Sequence, residues 1–162
     1  KRTVDTLVDY IKKNEYHLTT GFVGTPYLCH ALSQNGYSDV AYKLLLQTDY
    51  PSWLYQVTKG ATTIWEHWDG IKPDGSFWSA DMNSFNHYAY GSIGDWLYRV
   101  VAGIDTDEER PGYKHIYIKP TIGEGLTYAR AELKSMYGKI KSEWKLQDDA
   151  MEISICVQQR VI

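Results

Sequence analysis

The run AYGSIGDWLYRVVAGIDTDEERPG, residues 89–112, divides the chain into two periodicities. Up to Gly103 it is apolar at Ala89, Ile93, Trp96, Leu97 and Val100. That is the spacing of one helix face, and Gly103 supplies the stop. Beyond it, Asp105 to Gly112 is acidic and contains Pro111, the composition of a linker. Helical spacing dominates before this run and alternation dominates after it, so the predicted architecture is helices first and an antiparallel sheet second.

Upstream, Val4, Leu7, Val8 and Ile11 form the apolar stripe of a first helix. Thr25-Pro26 predicts the start of a second, with a capping hydroxyl and Pro at the first helical position. Leu28, Ala31 and Leu32 give that helix its stripe, and Asn35-Gly36 its stop. Ser38 is expected to cap a third helix carrying Ala41, Leu44 and Leu45, and Ser52 to Lys59 reads as a short fourth one closed by Gly60. The short connections predict helical hairpins. Residues 62–86 fit neither period; a Trp-rich, Gly-punctuated loop of that length inside a helical array is usually functional.

Downstream, His115 to Lys119 is a short strand stopped by Pro120. Tyr128 to Lys134 places Ala129, Ala131 and Leu133 on one face, and the next run alternates Ile140, Ser142, Trp144 and Leu146 against charged neighbours. Asp148-Asp149 predicts a two-residue turn into Met151, Ile153, Ile155 and Val157. One wet face marks an antiparallel sheet, whose other face must pack on the helices or on further sequence.

The 162 residues carry 17 Lys+Arg and 20 Asp+Glu, a net charge of −3 without the excess base of a nucleic-acid-binding surface. Mean hydropathy is −0.44, and no apolar run approaches the ~20 residues of a membrane-spanning helix. Cys29 and Cys156 stand in no metal-like spacing and read as two ordinary buried or half-buried thiols. The chain opens on Lys1 with no signal-like segment, and its last strand-like run stops at Val161-Ile162. Both ends therefore read as cut, which leaves the compartment and the oligomeric state open. The 14 Tyr and 6 Trp outnumber 3 Phe, a bias toward rings that meet something wet.

Two clusters hold side chains capable of chemistry. In GATTIWEHWD, residues 60–69, Glu66 lies between two tryptophans. A carboxylate beside indoles is poorly solvated, which suits proton transfer; the alternative is an ordinary ion pair or a bond from an indole N–H. Asp69 either shares a helical face with Glu66 or serves as a turn residue before Gly70. In MNSFNHYAYGS, residues 82–92, Asn83, Ser84 and Asn86 are typical caps, and His87 either donates to a ligand or makes a structural bond. No zinc spacing, phosphate-binding loop or serine-hydrolase elbow is present. Carboxylates, one histidine and many Trp and Tyr are the composition of a sugar site.

These stretches, with TGFVGTPYL at residues 20–28 and YPSWLY at 50–55, resemble bacterial α-L-rhamnosidases of glycoside hydrolase family 78. The resemblance runs in order from about Leu18 to the end. It implies the C-terminal half of an (α/α)6 toroid, residues 1–104, a linker at 105–112, and the start of a C-terminal antiparallel β-sandwich domain, residues 113–162. It implies an inverting glycosidase that removes terminal α-L-rhamnosyl groups, with Glu66 as general base and His87 hydrogen-bonded to rhamnose. Trp65, beside the base, either walls the sugar pocket or belongs to the core. The family's general acid sits in an Asp/Glu-rich motif that nothing here resembles; Asp69, Asp74 and Asp81 match no acid position, so the acid is expected upstream of Lys1. The chemistry requires no cofactor and no metal. The expected partner is a rhamnose-containing oligosaccharide, polysaccharide or glycoside, with no nucleic acid and no membrane. A non-catalytic carbohydrate-binding module and a helical scaffold with all-core aromatics are the competing readings.

Overall fold

A computed structural model describes residues 2–148 and 150–159. The chain forms two compact units, divided between Ile93 and Gly94. The first is helical. Helix α1 (Arg2–Lys13) buries Val8 and Ile11 from its stripe, with Asp5 in the first turn and Lys12 and Lys13 in the last, as the helix dipole favours. Helices α2 (Thr25–Gln34) and α3 (Ser38–Leu46) form the predicted hairpin; Gly36 takes φ +86° at the turn between them. Leu32, Ala41 and Leu44 are fully buried there.

The helix starts differ in detail from the sequence expectation. Thr25 is the first residue of α2, and its hydroxyl donates backward to Gly21 O at 2.9 Å. It therefore fastens the preceding loop without capping the helix. Ser38 likewise lies inside α3 and makes no cap bond. Helix α4 (Trp53–Thr58) does carry its cap: Ser52 Oγ accepts from Tyr55 N at 3.1 Å, and Gly60 at φ +83° follows the end. Cys29, buried in α2, has its thiol pushed up to about 12 by that burial.

From residue 59 to 88 there is no regular helix or strand, as the composition of that stretch predicts. A 3-10 turn (Ala89–Ser92), one α turn (Ile93–Trp96) and a π turn (Leu97–Val101) then make a continuous helical tail. One regular helix was the expectation; the tail tightens and then widens along its length.

The second unit holds the tail from Gly94 on and, among the described residues, five strands. Strands β1 (Ile104–Thr106) and β2 (Ile116–Ile118) pair antiparallel. Strands β3 (Tyr128–Ser135), β4 (Gly138–Gln147) and β5 (Ala150–Gln159) form an antiparallel sheet in that order. Register places Ala131 opposite Ser142 and Trp144 opposite Ile153. On β4 the expected stripe buries Ile140, Ser142 and Trp144 at 0–1 % exposure, while Leu146 at its end is exposed. Gln147 pairs with Ala150, which closes the predicted tight turn; Asp148 has φ +51°, and Asp149 lies outside the described residues, as do Val161 and Ile162.

The stretch expected as a linker, residues 105–112, is built into this unit. Asp105 and Thr106 belong to β1, and Asp107 is only 8 % exposed. Its carboxylate accepts from His115 Nδ1 at 2.9 Å, Glu109 N at 3.0 Å and Arg110 Nε at 3.1 Å. Acidic composition signalled solvent; here it signals a carboxylate that organises a loop. Cys156, on β5, is exposed, unlike the buried thiol at Cys29. Among the described residues no helix is long and apolar enough to cross a membrane.

Candidate functional site

The two chemical clusters come together because their backbones pair. His87 N donates to Ile64 O at 2.8 Å and Glu66 N to Ser84 O at 3.0 Å, an antiparallel match between residues 64–66 and 84–87. The Thr63 hydroxyl adds a bond to Phe85 O. Glu66 and His87 thus sit on adjacent, hydrogen-bonded segments although 21 positions separate them.

Beneath this pairing lies an aromatic floor. Trp65 is 3 % exposed and meets Phe85 edge-on at 5.1 Å. A ring so buried offers no face to a ligand, so Trp65 is core and not a pocket wall. Gly70 makes room for it: a Cβ there would lie 3.0 Å from the Trp65 ring and 3.2 Å from Phe85. Trp68 stacks on Tyr90 at 3.7 Å and meets Trp53 edge-on at 5.6 Å. Trp53 closes the group by donating from Nε1 to Tyr90 O at 2.9 Å.

Gln56, from α4, straddles Glu66. Its Oε1 accepts from Trp65 N at 3.1 Å and its Nε2 donates to His67 O at 3.3 Å. Sequence reasoning missed this residue. The available signal was a glutamine within a short helix whose neighbours Trp53 and Tyr55 are core, where a buried amide must find partners.

Glu66 itself is half-buried. Among the described residues its carboxylate has no hydrogen bond and no ion pair. Asp69 shares no helical face with it, since residues 66–70 are bends and turns. Asp74 is committed elsewhere: its carboxylate accepts from the Ser76 hydroxyl and Ser76 N, bonds that hold its pKa below the usual carboxylate value. Asp81 is exposed.

His87 is held on two sides. Its ring stacks on Phe22 at 4.8 Å with planes 15° apart, and on Tyr88 at 5.3 Å. Nδ1 lies 3.3 Å from Ala89 N, whose N–H can only donate. A neutral imidazole in that bond carries its proton on Nε2, leaving that N–H as the donor for a ligand. Asn83, Ser84 and Asn86 are not caps, because the helical tail begins at Ala89 with no side-chain cap. Asn83 instead donates from Nδ2 to Gly70 O at 2.7 Å. The groove that the first motif lines, about 220 Å³ between α4 and residues 61–64, holds no titratable side chain and no part of Glu66. Among the described residues there is no cluster fit to hold a metal ion.

Comparison with known proteins covers both units. Residues 1–101 match the bacterial alpha-L-rhamnosidase 6 hairpin glycosidase domain, and residues 103–158 the bacterial alpha-L-rhamnosidase C-terminal domain. An alpha-L-rhamnosidase of Streptomyces avermitilis is 45 % identical over 97 % of this chain, and one of Formosa agariphila 42 % over 93 %. The chain spans about 15 % of the length of the former and 16 % of the latter. The S. avermitilis enzyme complexed with L-rhamnose superposes with a TM-score of 0.88 at 46 % identity, over 93 % of this chain and 14 % of that one. The native enzyme from Aspergillus terreus gives 0.85 at 43 %, over 92 % and 17 %.

Proposed function

The chain belongs to the bacterial α-L-rhamnosidase family, and from that premise we propose that it is one segment of an enzyme hydrolysing terminal α-L-rhamnosyl residues, with Glu66 as its general base. Residues 1–101 contribute part of the catalytic domain and residues 103–158 part of the C-terminal domain. The substrate is a rhamnose-containing oligosaccharide, polysaccharide or glycoside. The observation that carries this reading is the half-buried Glu66 carboxylate, unpaired among the described residues, on a segment bonded to the one bearing His87.

In the proposed reaction Glu66 takes a proton from a water as that water attacks the anomeric carbon. The departing oxygen receives a proton from a carboxylic acid on the other side of the bond, and the configuration inverts. Such a pair needs carboxyls ~6.5–9.5 Å apart. The resemblance to the family implies that this acid comes from outside these 162 residues, Asp69, Asp74 and Asp81 matching no acid position of its pattern. His87, with its proton on Nε2, donates to a sugar hydroxyl. Trp65 acts through its burial, fixing the backbone from which Glu66 projects.

The test uses the full-length protein containing this chain and an aryl α-L-rhamnoside. Glu66→Gln should lower kcat by about 10²–10⁴-fold, the usual share of a general base, while affinity for L-rhamnose is retained. Full activity of the variant overturns the assignment. A product released first as the α anomer overturns inversion. Turnover by the isolated 162 residues overturns the need for an outside acid. Lost affinity in a protein with no turnover identifies a binding module instead.

A further inference from the structure

Five of the six tryptophans are 8 % exposed or less; Trp78 is 42 % exposed. Its indole is nonetheless held rather than loose. The His67 ring lies parallel to it, centroids 3.5 Å apart and planes 10° apart. One face of the indole is therefore covered, and the opposite face is left to solvent. We propose that this open face of Trp78, backed by His67, is a stacking surface for a pyranose ring of the substrate.

Rigidity supports the assignment. Residues 70–78 form a small hairpin: Ile71 bridges Phe77, Lys72 N donates to Ser76 O at 2.8 Å, and Gly75 N to Lys72 O at 2.9 Å. Gly75 supplies the φ of +85° that the turn requires, and Asp74 locks Ser76. Trp78 N then donates to Gly70 O at 3.1 Å. A ring already fixed in its bound orientation loses little freedom when a ligand covers it.

Placement supports it as well. Gly70 O accepts from both Trp78 N and Asn83 Nδ2, so one carbonyl ties the hairpin to the segment that bears His87. His67 directly follows Glu66. The C–H groups on one side of a pyranose form an apolar patch with the shape of an indole face, while the hydroxyls at the ring edge stay free to hydrogen-bond. Leaving this one indole in solvent, when the other five are buried, costs apolar burial that a ligand would recover.

The proposal deepens the rhamnosidase reading and rests on it for the identity of the sugar. In the full-length protein carrying Glu66→Gln, L-rhamnose and an α-L-rhamnosyl-glucose disaccharide are titrated calorimetrically, with and without Trp78→Ala. A weakening of roughly five- to tenfold is expected, the worth of one aromatic stack. Weakening of both ligands places the terminal sugar on Trp78; weakening of the disaccharide alone places the neighbouring sugar there. Unchanged affinity for both overturns the proposal. Trp78→Phe, which preserves a ring in the hairpin, provides a second reading. The difference in acrylamide quenching between the Glu66→Gln protein and its Trp78→Phe derivative isolates the Trp78 signal. Sugar must protect that signal, and absence of protection overturns the proposal even where Trp78→Ala fails to fold. Wild-type turnover is measured separately. Its absence defeats the hydrolase reading, while the titrations still decide whether Trp78 binds a sugar.

Discussion

A buried glutamine destabilises a fold unless both ends of its amide are used, and Gln56 uses both on the residues that flank Glu66. Replacing it by leucine keeps the volume and removes the clamp. His67 O retains Gly70 N as a partner at 3.2 Å, but Trp65 N–H is left buried without an acceptor. Gln56→Leu should therefore cost about 1–3 kcal/mol in denaturant unfolding of the full-length protein. On the general-base role proposed for Glu66, rhamnoside kinetics of the full-length variant should show kcat reduced more than KM is raised, because the loss would fall on the placement of Glu66 and not on the sugar contacts. Equal stability of variant and wild type would show that Gln56 bears no such load. At this scale the sequence was a partial guide. Glu66 and His87 stand out as candidates because their neighbours form unusual strings, and Trp96 and Trp144 were legible as core because they fall on apolar stripes. Trp65, Trp68 and Trp78 share one irregular stretch, where no period tells inside from outside. Only three-dimensional details separate them: the space at Gly70 admits Trp65, and the Tyr90 ring covers Trp68, while Trp78 stacks on His67 and stays 42 % exposed.

At the scale of elements, the helical tail and β4 complete one another. A helix end leaves its last carbonyls without partners. Here Trp144 Nε1 donates to Val101 O at 2.7 Å and Ser142 Oγ to Ala102 O at 2.6 Å, both from the buried face of β4. The serine among Ile140 and Trp144 is thus required by the carbonyl opposite it. The change of period at Gly103 was legible, since it needs only local spacing. The π turn and the ordering of residues 105–112 were not, because they depend on partners 8 to 43 positions away. Gly103 carries the junction: φ is +76°, Lys119 N donates to its carbonyl at 2.8 Å, and a Cβ would stand 2.1 Å from Pro120 N. Backbone cannot yield as a flexible side chain does. Gly103→Ala should cost about 2–5 kcal/mol, from a left-handed conformation plus overpacking. A melting curve that loses the near-ultraviolet signal of buried Trp144 at lower temperature would register it; an unchanged curve would show that β1 and β2 can part without consequence.

For the molecule as a whole, acid is the condition most strongly written into the charges. Asp107 and Glu132 both have pKa values below the usual carboxylate range. For Asp107 the bond from His115 leads, followed by those from Glu109 N and Arg110; for Glu132 the leading causes are Lys139 and then Lys141. Asp74 is held low by Ser76. A carboxylate whose folded value lies below its unfolded value near 4 stabilises the fold fully above that unfolded value. The contribution fades as pH falls through the folded value, because the unfolded chain takes up its protons first. All three shifts share this sign, so stability should hold from neutrality to about pH 5 and decline below about pH 4. Protonation of the 20 acidic residues also leaves 17 Lys+Arg unbalanced, which pushes the same way. Thermal unfolding at pH 7, 5, 4 and 3 measures the decline. Asp107→Asn, which cannot titrate, should begin at a lower melting temperature and fall less steeply below pH 4 than wild type. Parallel curves for the two proteins would show that the Asp107 cluster orders its loop without linking stability to pH.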